Sequence, residues 1–420
     1  MSNYLKIFLR GSAISLLGAG CLGVANYLIR RILCNGMSLE DYGTFYSIFA
    51  LFSLVFGFTD LGLTQSGTVM IASAADDHSR RDTVFSQLFF IKSVLAVLCA
   101  GGFVLYYLPR QAEVNLIFIL LFLAYFVIQI IIGTLQALWG GQKKYSVQQA
   151  GYLAVALLIL AALCISGNMK LEAVGFCYIF PVIIVLFGGL ALSRYCNLGR
   201  LIFRIDKDVC RQLLTTGTVV AITTTLLSVM YYMDTIMLHS LRGAESAGLY
   251  NVALPIMQIV QACMVFPAVF LPIAVDMSKN KDYTNLLRFV RNALFLALAA
   301  LVPVGIFFHY SSPWLIGFLF NRQYTAAANA TTLLCLGLVF FTLGNFLFQI
   351  MLSLKKSATM AVIAAIATVC NLLLNYFMIK SHGVNGAATA TLASYAIFSL
   401  LSYAALEYNL RKMKKYESEF

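Results

Sequence analysis

Runs of about twenty predominantly apolar residues recur twelve times along this chain, and a helix of that length is what crosses a hydrocarbon layer roughly 30 Å thick. In the first half the runs lie near Ser12 to Leu33, Gly43 to Gln65, Val84 to Leu108, Val114 to Leu138, Ser146 to Ser166 and Leu171 to Ser193. In the second half they lie near Thr215 to His239, Gly248 to Val275, Arg291 to His309, Ala326 to Leu352, Ser357 to Ile379 and Val384 to Leu406. They consume nearly all of the 420 residues, which leaves no stretch for a separate soluble domain. Composition agrees: 61% of the residues are apolar and 11% charged, a balance no water-soluble domain of this length needs. The expected fold class is all-α integral membrane, with 12 transmembrane helices as two pseudo-symmetric six-helix bundles around a central cleft. Residues 1–194 form the N-terminal bundle, 195–214 a cytoplasmic amphipathic linker, and 215–420 the C-terminal bundle with a short cytoplasmic tail.

Orientation follows from the basic residues, because Lys and Arg near span ends are retained in the cytoplasm. With the N-terminus inside, most of the 29 Lys and Arg fall in cytoplasmic segments. Only Arg30, Arg31, Arg110, Lys170, Arg242, Arg322 and Lys380 fall outside. Both termini are therefore expected in the cytoplasm. Lys6 and Arg10 precede the first run as they would in a signal peptide, but no small-residue cleavage site follows, so the run reads as the first membrane helix. In the linker, Leu201, Ile202, Ile205, Val209 and Leu213 recur at near-helical spacing among basic residues, as in a helix lying on the membrane surface.

An internal repeat joins the halves. Glu40-Asp41-Tyr42-Gly43-Thr44-Phe45 recurs as Glu245-Ser246-Ala247-Gly248-Leu249-Tyr250, and Glu172-Ala173-Val174-Gly175 is echoed, shifted by about one residue, by Val384-Asn385-Gly386-Ala387. Six spans per repeat give both halves the same orientation, with a pseudo-twofold axis along the membrane normal.

Charges inside spans are the candidates for function, since an ionised side chain at the bilayer centre costs about 2.5–3.5 kcal/mol or more unless it faces protein or water. Asp60, Lys92 and Asp276 stand near span ends, where they can snorkel to the cytoplasmic interface. Arg30 and Arg31 run against the positive-inside bias, and the repeat places Asp234 opposite Ile29, one position from Arg30. The expectation is that one arginine faces the cleft and meets either Asp234 or an anionic substrate, for which a guanidinium's forked donors suit phosphate oxygens. Arg30, Arg31, Asp234, Asp60 and Lys92 are thus the candidate substrate-binding residues. Prolines at Pro255, Pro267 and Pro272 predict a bent eighth span. Trp314 to Phe320, between Pro313 and Asn321, reads as a short segment in the outer interface, with Trp314 and Tyr324 as interface aromatics.

Other chemistry is poorly supported. Gly18-Ala19-Gly20-Cys21-Leu22-Gly23 matches a dinucleotide-binding spacing, but it lies inside a membrane run with no preceding strand and reads as a helix-packing face. Ten cysteines are scattered without a CxxC pair, four histidines stand far apart, and no Walker loop, HExxH or GxSxG occurs. No cofactor, metal or enzymatic activity is expected. The net charge of +12 comes as small clusters between apolar runs rather than as a stripe, which argues against nucleic acid.

The order of motifs resembles a known family. Arg30-Arg31 before Leu39-Glu40-Asp41-Tyr42-Gly43, Asp60-Leu61-Gly62-Leu63 at the end of the second run, and Asp234 before Ala247-Gly248-Leu249-Tyr250 are similar to the O-antigen (Wzx-type) polysaccharide flippases. So are Leu319-Phe320-Asn321-Arg322-Gln323-Tyr324 and Gly383-Val384-Asn385-Gly386-Ala387-Ala388. These flippases belong to the multidrug/oligosaccharidyl-lipid/polysaccharide exporter superfamily. Asn321 departs from the glycine common in that loop. The resemblance implies an inner-membrane protein that turns an undecaprenyl-pyrophosphate-linked oligosaccharide to the periplasmic leaflet by alternating access. It also implies proton or cation coupling, and a polysaccharide polymerase as a partner beside the lipid-linked glycan and membrane lipid. The alternatives are a multidrug efflux transporter of the same superfamily or another twelve-helix secondary transporter. A glycosyl polymerase or ligase would need a large outer loop that this chain lacks.

Overall fold

The computed structural model describes the backbone of residues 3–60, 62–74, 77–107, 115–195, 200–202, 205–215, 218–263, 273–278 and 280–418, and every described element is helical. The elements are α1 (Asn3–Gly36), α2 (Leu39–Asp60), α3 (Leu63–Ser73), α4 (His78–Tyr107), α5 (Leu116–Gly141), α6 (Tyr145–Ser166) and α7 (Leu171–Tyr195). A short α8 (Lys207–Thr215) follows, then α9 (Thr218–Arg242), α10 (Ala244–Cys263), α11 (Tyr283–Leu319), a 3₁₀ turn (Arg322–Ala327), α12 (Ala328–Ser353) and α13 (Ser357–Ser418). Helices dominate for a physical reason: lipid offers no partner to a backbone N–H or C=O, and a helix satisfies both within one segment. Among the described residues, nine helices are long and apolar enough to cross a membrane. Many of their large apolar side chains point outward, including Leu98, Leu105, Phe187, Phe295 and Val302, as lipid-facing residues must. This is a membrane protein.

Two compact units emerge. The first comprises Met1–Met37 and Leu51–Thr225, the second Ser38–Ala50 and Leu226–Phe420. The start of α2 therefore belongs to the second unit.

In the first unit, Trp139 is buried between α5, α6 and α7, and its indole N–H donates to the Ser193 hydroxyl at 3.0 Å. Glycines make room for the ring: a methyl at Gly151 would come within 2.9 Å of it, and one at Gly189 within 3.2 Å. Small residues permit this approach where helices pack in lipid. Helix α8 closes the core by burying Val209 and Leu213 against Leu63, Phe85 and Leu88. Among the described residues between α7 and α9, the linker is helical only over Lys207–Thr215. Ile202 lies in a non-helical segment, with its N–H bonded to the Ser86 hydroxyl at 2.7 Å, and Ile205 is exposed outside the helix. Burial and the nearby Asp206 carboxylate hold the Cys210 thiol above its ordinary pKa, so it stays protonated and donates to Gln87 Oε1 at 3.3 Å.

The second unit is organised by close crossings. Ser38 starts α2 by accepting from the Asp41 N–H at 3.0 Å and donating to its carboxylate at 2.8 Å, while Glu40 and Asp41 place negative charge at the helix N-terminus. Here the repeated glycines meet: a methyl at Gly43 would strike the Ala244 backbone, and one at Gly248 would lie 2.8 Å from the Leu39 carbonyl. Tyr42 is buried beside Tyr324, with ring centroids 6.1 Å apart. Helix α13 breaks at Gly383, whose φ of 56° and ψ of −128° are open to glycine. Past the break, a methyl at Gly386 would collide with the Met378 carbonyl, so the two arms of α13 pack backbone on backbone. Arg242, the last residue of α9, donates Nε to the Ile379 carbonyl at 3.1 Å and Nη2 to the Lys380 carbonyl, satisfying carbonyls at the end of the first arm.

The turns after α5 and α12 carry the repeat further than the sequence motifs do. Lys143 and Lys355 adopt φ of 58° and 60°; Lys144 N–H donates to the Trp139 carbonyl at 2.8 Å, and Lys356 N–H to the Met351 carbonyl at 2.9 Å. Both helices end in the same left-handed cap.

Several expectations are corrected. The second span breaks at Gly62, with φ of 72°, so Leu63 opens a new helix. The segment Trp314 to Phe320 does not lie apart: α11 runs unbroken through Pro303 and Pro313 to Leu319, Trp314 is exposed, and Tyr324 is core rather than interface. Of the early glycines, Gly18 packs against Gln149, but Gly20 and Gly23 have no atom within 4 Å of an added methyl, so they do not form a packing face. Pro255 lies within α10, while Pro267 and Pro272 lie outside the described residues.

Gly43→Ala should sharply lower the thermal midpoint of the detergent-purified protein or prevent its accumulation. Gly102→Ala, which meets nothing within 4 Å, should be neutral or stabilising by about 0.5–1 kcal/mol through helix propensity. Equal effects of the two substitutions in a thermal-unfolding assay would rule out the glycine crossing.

Candidate functional site

Intramembrane charge has to be neutralised, hydrogen-bonded or wetted, so each charge inside a span marks a place where the fold has been built around it. The candidate residues fall into three such places.

In the first unit, Lys92 on α4 is 3% exposed, and its ammonium reaches Asp60 Oδ1 at 2.6 Å and Thr64 Oγ1 at 2.7 Å. The Thr64 hydroxyl donates to the same Asp60 oxygen at 2.5 Å. Asp60 closes α2 and Thr64 sits in the first turn of α3, so the Gly62 break turns both toward one amine. Gly133 on α5 forms the opposite wall, since a methyl there would lie 3.1 Å from Nζ. Lys92 therefore does not snorkel. The pairing with Asp60 holds it inside the helix bundle, and about a third of the Asp60 side chain, 36%, remains exposed. Asp276 is exposed, as an interfacial carboxylate would be.

The second place is the end of α1. Arg30 is half-buried and Arg31 exposed, while Ile29 and Leu33 on the same helix are buried.

The third is the second unit's interior, where Asp234 on α9 is 1% exposed. Tyr250 on α10 donates to its Oδ2 at 2.5 Å, the Thr391 hydroxyl donates to the same oxygen, and Asn375 Nδ2 donates to Oδ1 at 2.6 Å. Asn375 Nδ2 also reaches Asn371 Oδ1 at 3.1 Å. Asn375 and Thr391 come from the two arms of α13 and bracket the Gly383 break symmetrically. Within the second unit, the described hydrogen-bond partners of Asp234 are all neutral donors. Charge-assisted hydrogen bonds are about twice as strong as neutral ones, which offsets part of the cost of the buried carboxylate.

Sequence reasoning missed Tyr250, Asn371, Asn375 and Thr391 as partners of Asp234. A signal existed: Asn371 and Asn375 stand at i, i+4 in an otherwise apolar span, the spacing that puts two amides on one helix face. Among the described residues no group of three or more His, Cys, Asp or Glu could hold a metal ion.

The fold and these sites define a polytopic helical membrane protein with charged and polar clusters inside its spans. Residues 8–278 match the family described as polysaccharide biosynthesis protein, and the chain belongs to that family. Among its relatives, a candidate O-antigen transporter of Shigella flexneri is 24% identical over 407 residues, covering 91% of this chain and 92% of that protein. An uncharacterized membrane protein of Methanocaldococcus jannaschii is 26% identical over 397 residues, covering 88% of this chain and 78% of that one. Among solved structures, a multidrug resistance MATE family transporter of the MOP superfamily, in its inward-facing conformation, superposes with a TM-score of 0.78 at 13% identity. That superposition covers 94% of this chain and 96% of the other, and at this identity it establishes the shared fold alone.

Asp60→Ala alone should destabilise the protein by on the order of 2 kcal/mol, because it strands Lys92 in the interior; the partial exposure of Asp60 keeps the figure below that for a fully buried pair. Asp60→Ala combined with Lys92→Leu should recover most of the loss. A thermal-unfolding double-mutant cycle that came out additive would remove the pair from the account.

Proposed function

We propose that this protein moves an isoprenoid-pyrophosphate-linked oligosaccharide, of the kind that supplies O-antigen or a related surface polysaccharide, from the cytoplasmic to the periplasmic leaflet. Family membership across residues 8–278 carries this reading. The relative described as a candidate O-antigen transporter, aligned over nearly the whole of both chains, supports it. The chemistry fits. A pyrophosphate is the most strongly charged part of such a lipid, and it cannot cross hydrocarbon without basic partners. Arg30 and Arg31 are proposed to supply those partners, with the guanidinium fork matching phosphate oxygens. Lys92, locked to Asp60, is proposed to bind substrate only when Asp60 gives it up. In this reading residues 1–194 and 215–420 act as two six-helix bundles joined by 195–214, and substrate gains access alternately from either side. The protein works in the inner membrane with both termini in the cytoplasm, beside a polysaccharide polymerase.

The test is complementation of a strain lacking its O-antigen flippase, with surface polysaccharide read on gels and expression checked by blot. The wild-type gene should restore surface polymer. Arg30→Gln with Arg31→Gln should lower it by at least about tenfold, as expected for losing contacts worth about 1.4 kcal/mol or more. Full activity of that double variant at normal expression would exclude the arginines from the route. Failure of the wild type, together with raised drug resistance, would redirect the reading to efflux.

A further inference from the structure

Hydrocarbon penalises an idle amide as it penalises a charge, so an exposed glutamine at mid-span faces something other than lipid. Gln258 on α10 is such a residue. Its Nε2 donates to the Tyr231 hydroxyl on α9 at 2.9 Å, and Gln258 is exposed while Tyr231 is half-buried. Tyr231 stands ten residues from one end of the span Ala221–Arg242 and eleven from the other, roughly 15 Å of helix on either side. The pair therefore sits at the middle of the membrane, turned toward water or a ligand. Among the described residues, each side chain is the other's only hydrogen-bond partner.

The first half repeats the arrangement in outline. The register that lays Glu40 on Glu245 puts Asn26 opposite Tyr231 and Ser53 opposite Gln258, and Asn26 is likewise exposed and Ser53 half-buried. Both halves thus present uncharged polar groups at this position, beside exposed apolar residues such as Val24 and Ile259.

The chemistry of the pair narrows the ligand. Because the Tyr231 oxygen accepts from Gln258, its own proton is directed elsewhere, and Gln258 keeps Oε1 as an unused acceptor. A donor and an acceptor stand side by side with no charge between them. Neighbouring hydroxyls of a sugar ring each donate and accept, and they match such a pair, whereas an ionised phosphate only accepts and an ammonium only donates. The tyrosine is also held in place. Its ring packs against the core that contains Leu238 and Leu254, and meets Tyr232 edge-on with centroids 5.0 Å apart, leaving an aromatic surface suited to the C–H face of a sugar.

We propose that Tyr231 and Gln258 form a carbohydrate subsite in the second unit, which binds the glycan part of the cargo through paired hydroxyl hydrogen bonds, separately from the basic residues that meet its pyrophosphate. The subsite rests on the flippase reading and adds which part of the cargo the second unit recognises.

The experiment is equilibrium binding to the full-length protein in lipid nanodiscs, with two probes. One is undecaprenyl pyrophosphate, and the other is the same lipid carrying the oligosaccharide, extracted from the flippase-deficient strain used for complementation. Wild type should bind the glycan-bearing lipid more tightly than the bare one. Tyr231→Phe and Gln258→Leu should each weaken binding of the glycan-bearing lipid by about three- to tenfold, the range that one neutral hydrogen bond supplies, and leave bare-lipid binding unchanged. Tyr231→Phe removes one oxygen and keeps the ring packed, so it reports on the site even where Gln258→Leu does not fold. A purely structural role would weaken both lipids alike, and that result overturns the subsite, as does unchanged binding of the glycan-bearing lipid in both variants. Wild type that complements the strain yet binds the two lipids equally overturns the subsite and leaves the flippase reading standing. Wild type that binds neither lipid and fails to complement overturns both.

Discussion

Everything in this protein follows from the absence of water around most of its backbone and side chains. In hydrocarbon, a polar group either finds a partner within the protein or forces a rearrangement, and helices solve the backbone half of that problem within single segments. The side-chain half is left to a small number of built clusters. Lys92 with Asp60 and Thr64, Trp139 with Ser193, and Asp234 with its four polar neighbours are three solutions to the same difficulty. The hydrophobic effect that assembles soluble cores is weak between helices already in lipid, so the tight glycine crossings supply packing in its place.

Those crossings place glycine where backbones touch. Gly43, Gly248 and Gly386 each stand where any side chain would overlap a neighbouring main chain. The left-handed caps at Lys143 and Lys355 show the same reuse at the opposite helix ends. Between such fixed points the two halves are free to differ in chemistry, as Ile29 against Asp234 shows.

Much of the fold was legible in the sequence because lipid makes one rule dominate: long apolar runs are helices. The expected ends of the last two spans agree with the break at Gly383, where a glycine with positive φ terminates one arm. The failures have local causes. Gly62 stands between Asp60 and the polar stretch Thr64-Gln65-Ser66, where hydropathy marks the end of a run but gives no sign that a second helix opens there. Pro313 suggested an end to a helix, yet the helix passes through it, because a proline in a bundle loses one backbone bond without being expelled. At the site, the charged residues could be named but not their partners. Lys92 and Asp60 lie far apart in sequence, and the amides around Asp234 carry no charge to attract notice.

The assignment of Ser38–Ala50 to the second unit bears on how the chain can be made. The buried faces of Tyr42, Phe45 and Tyr46 are synthesised early, but Ala244, Gly248 and Tyr324 emerge much later from the ribosome. The second unit therefore cannot be completed from one contiguous stretch of chain. The leading part of α2 must wait in the bilayer with its small residues and aromatic rings turned to lipid or to an insertion factor, and long-range closure of that kind is the slow step of a folding pathway.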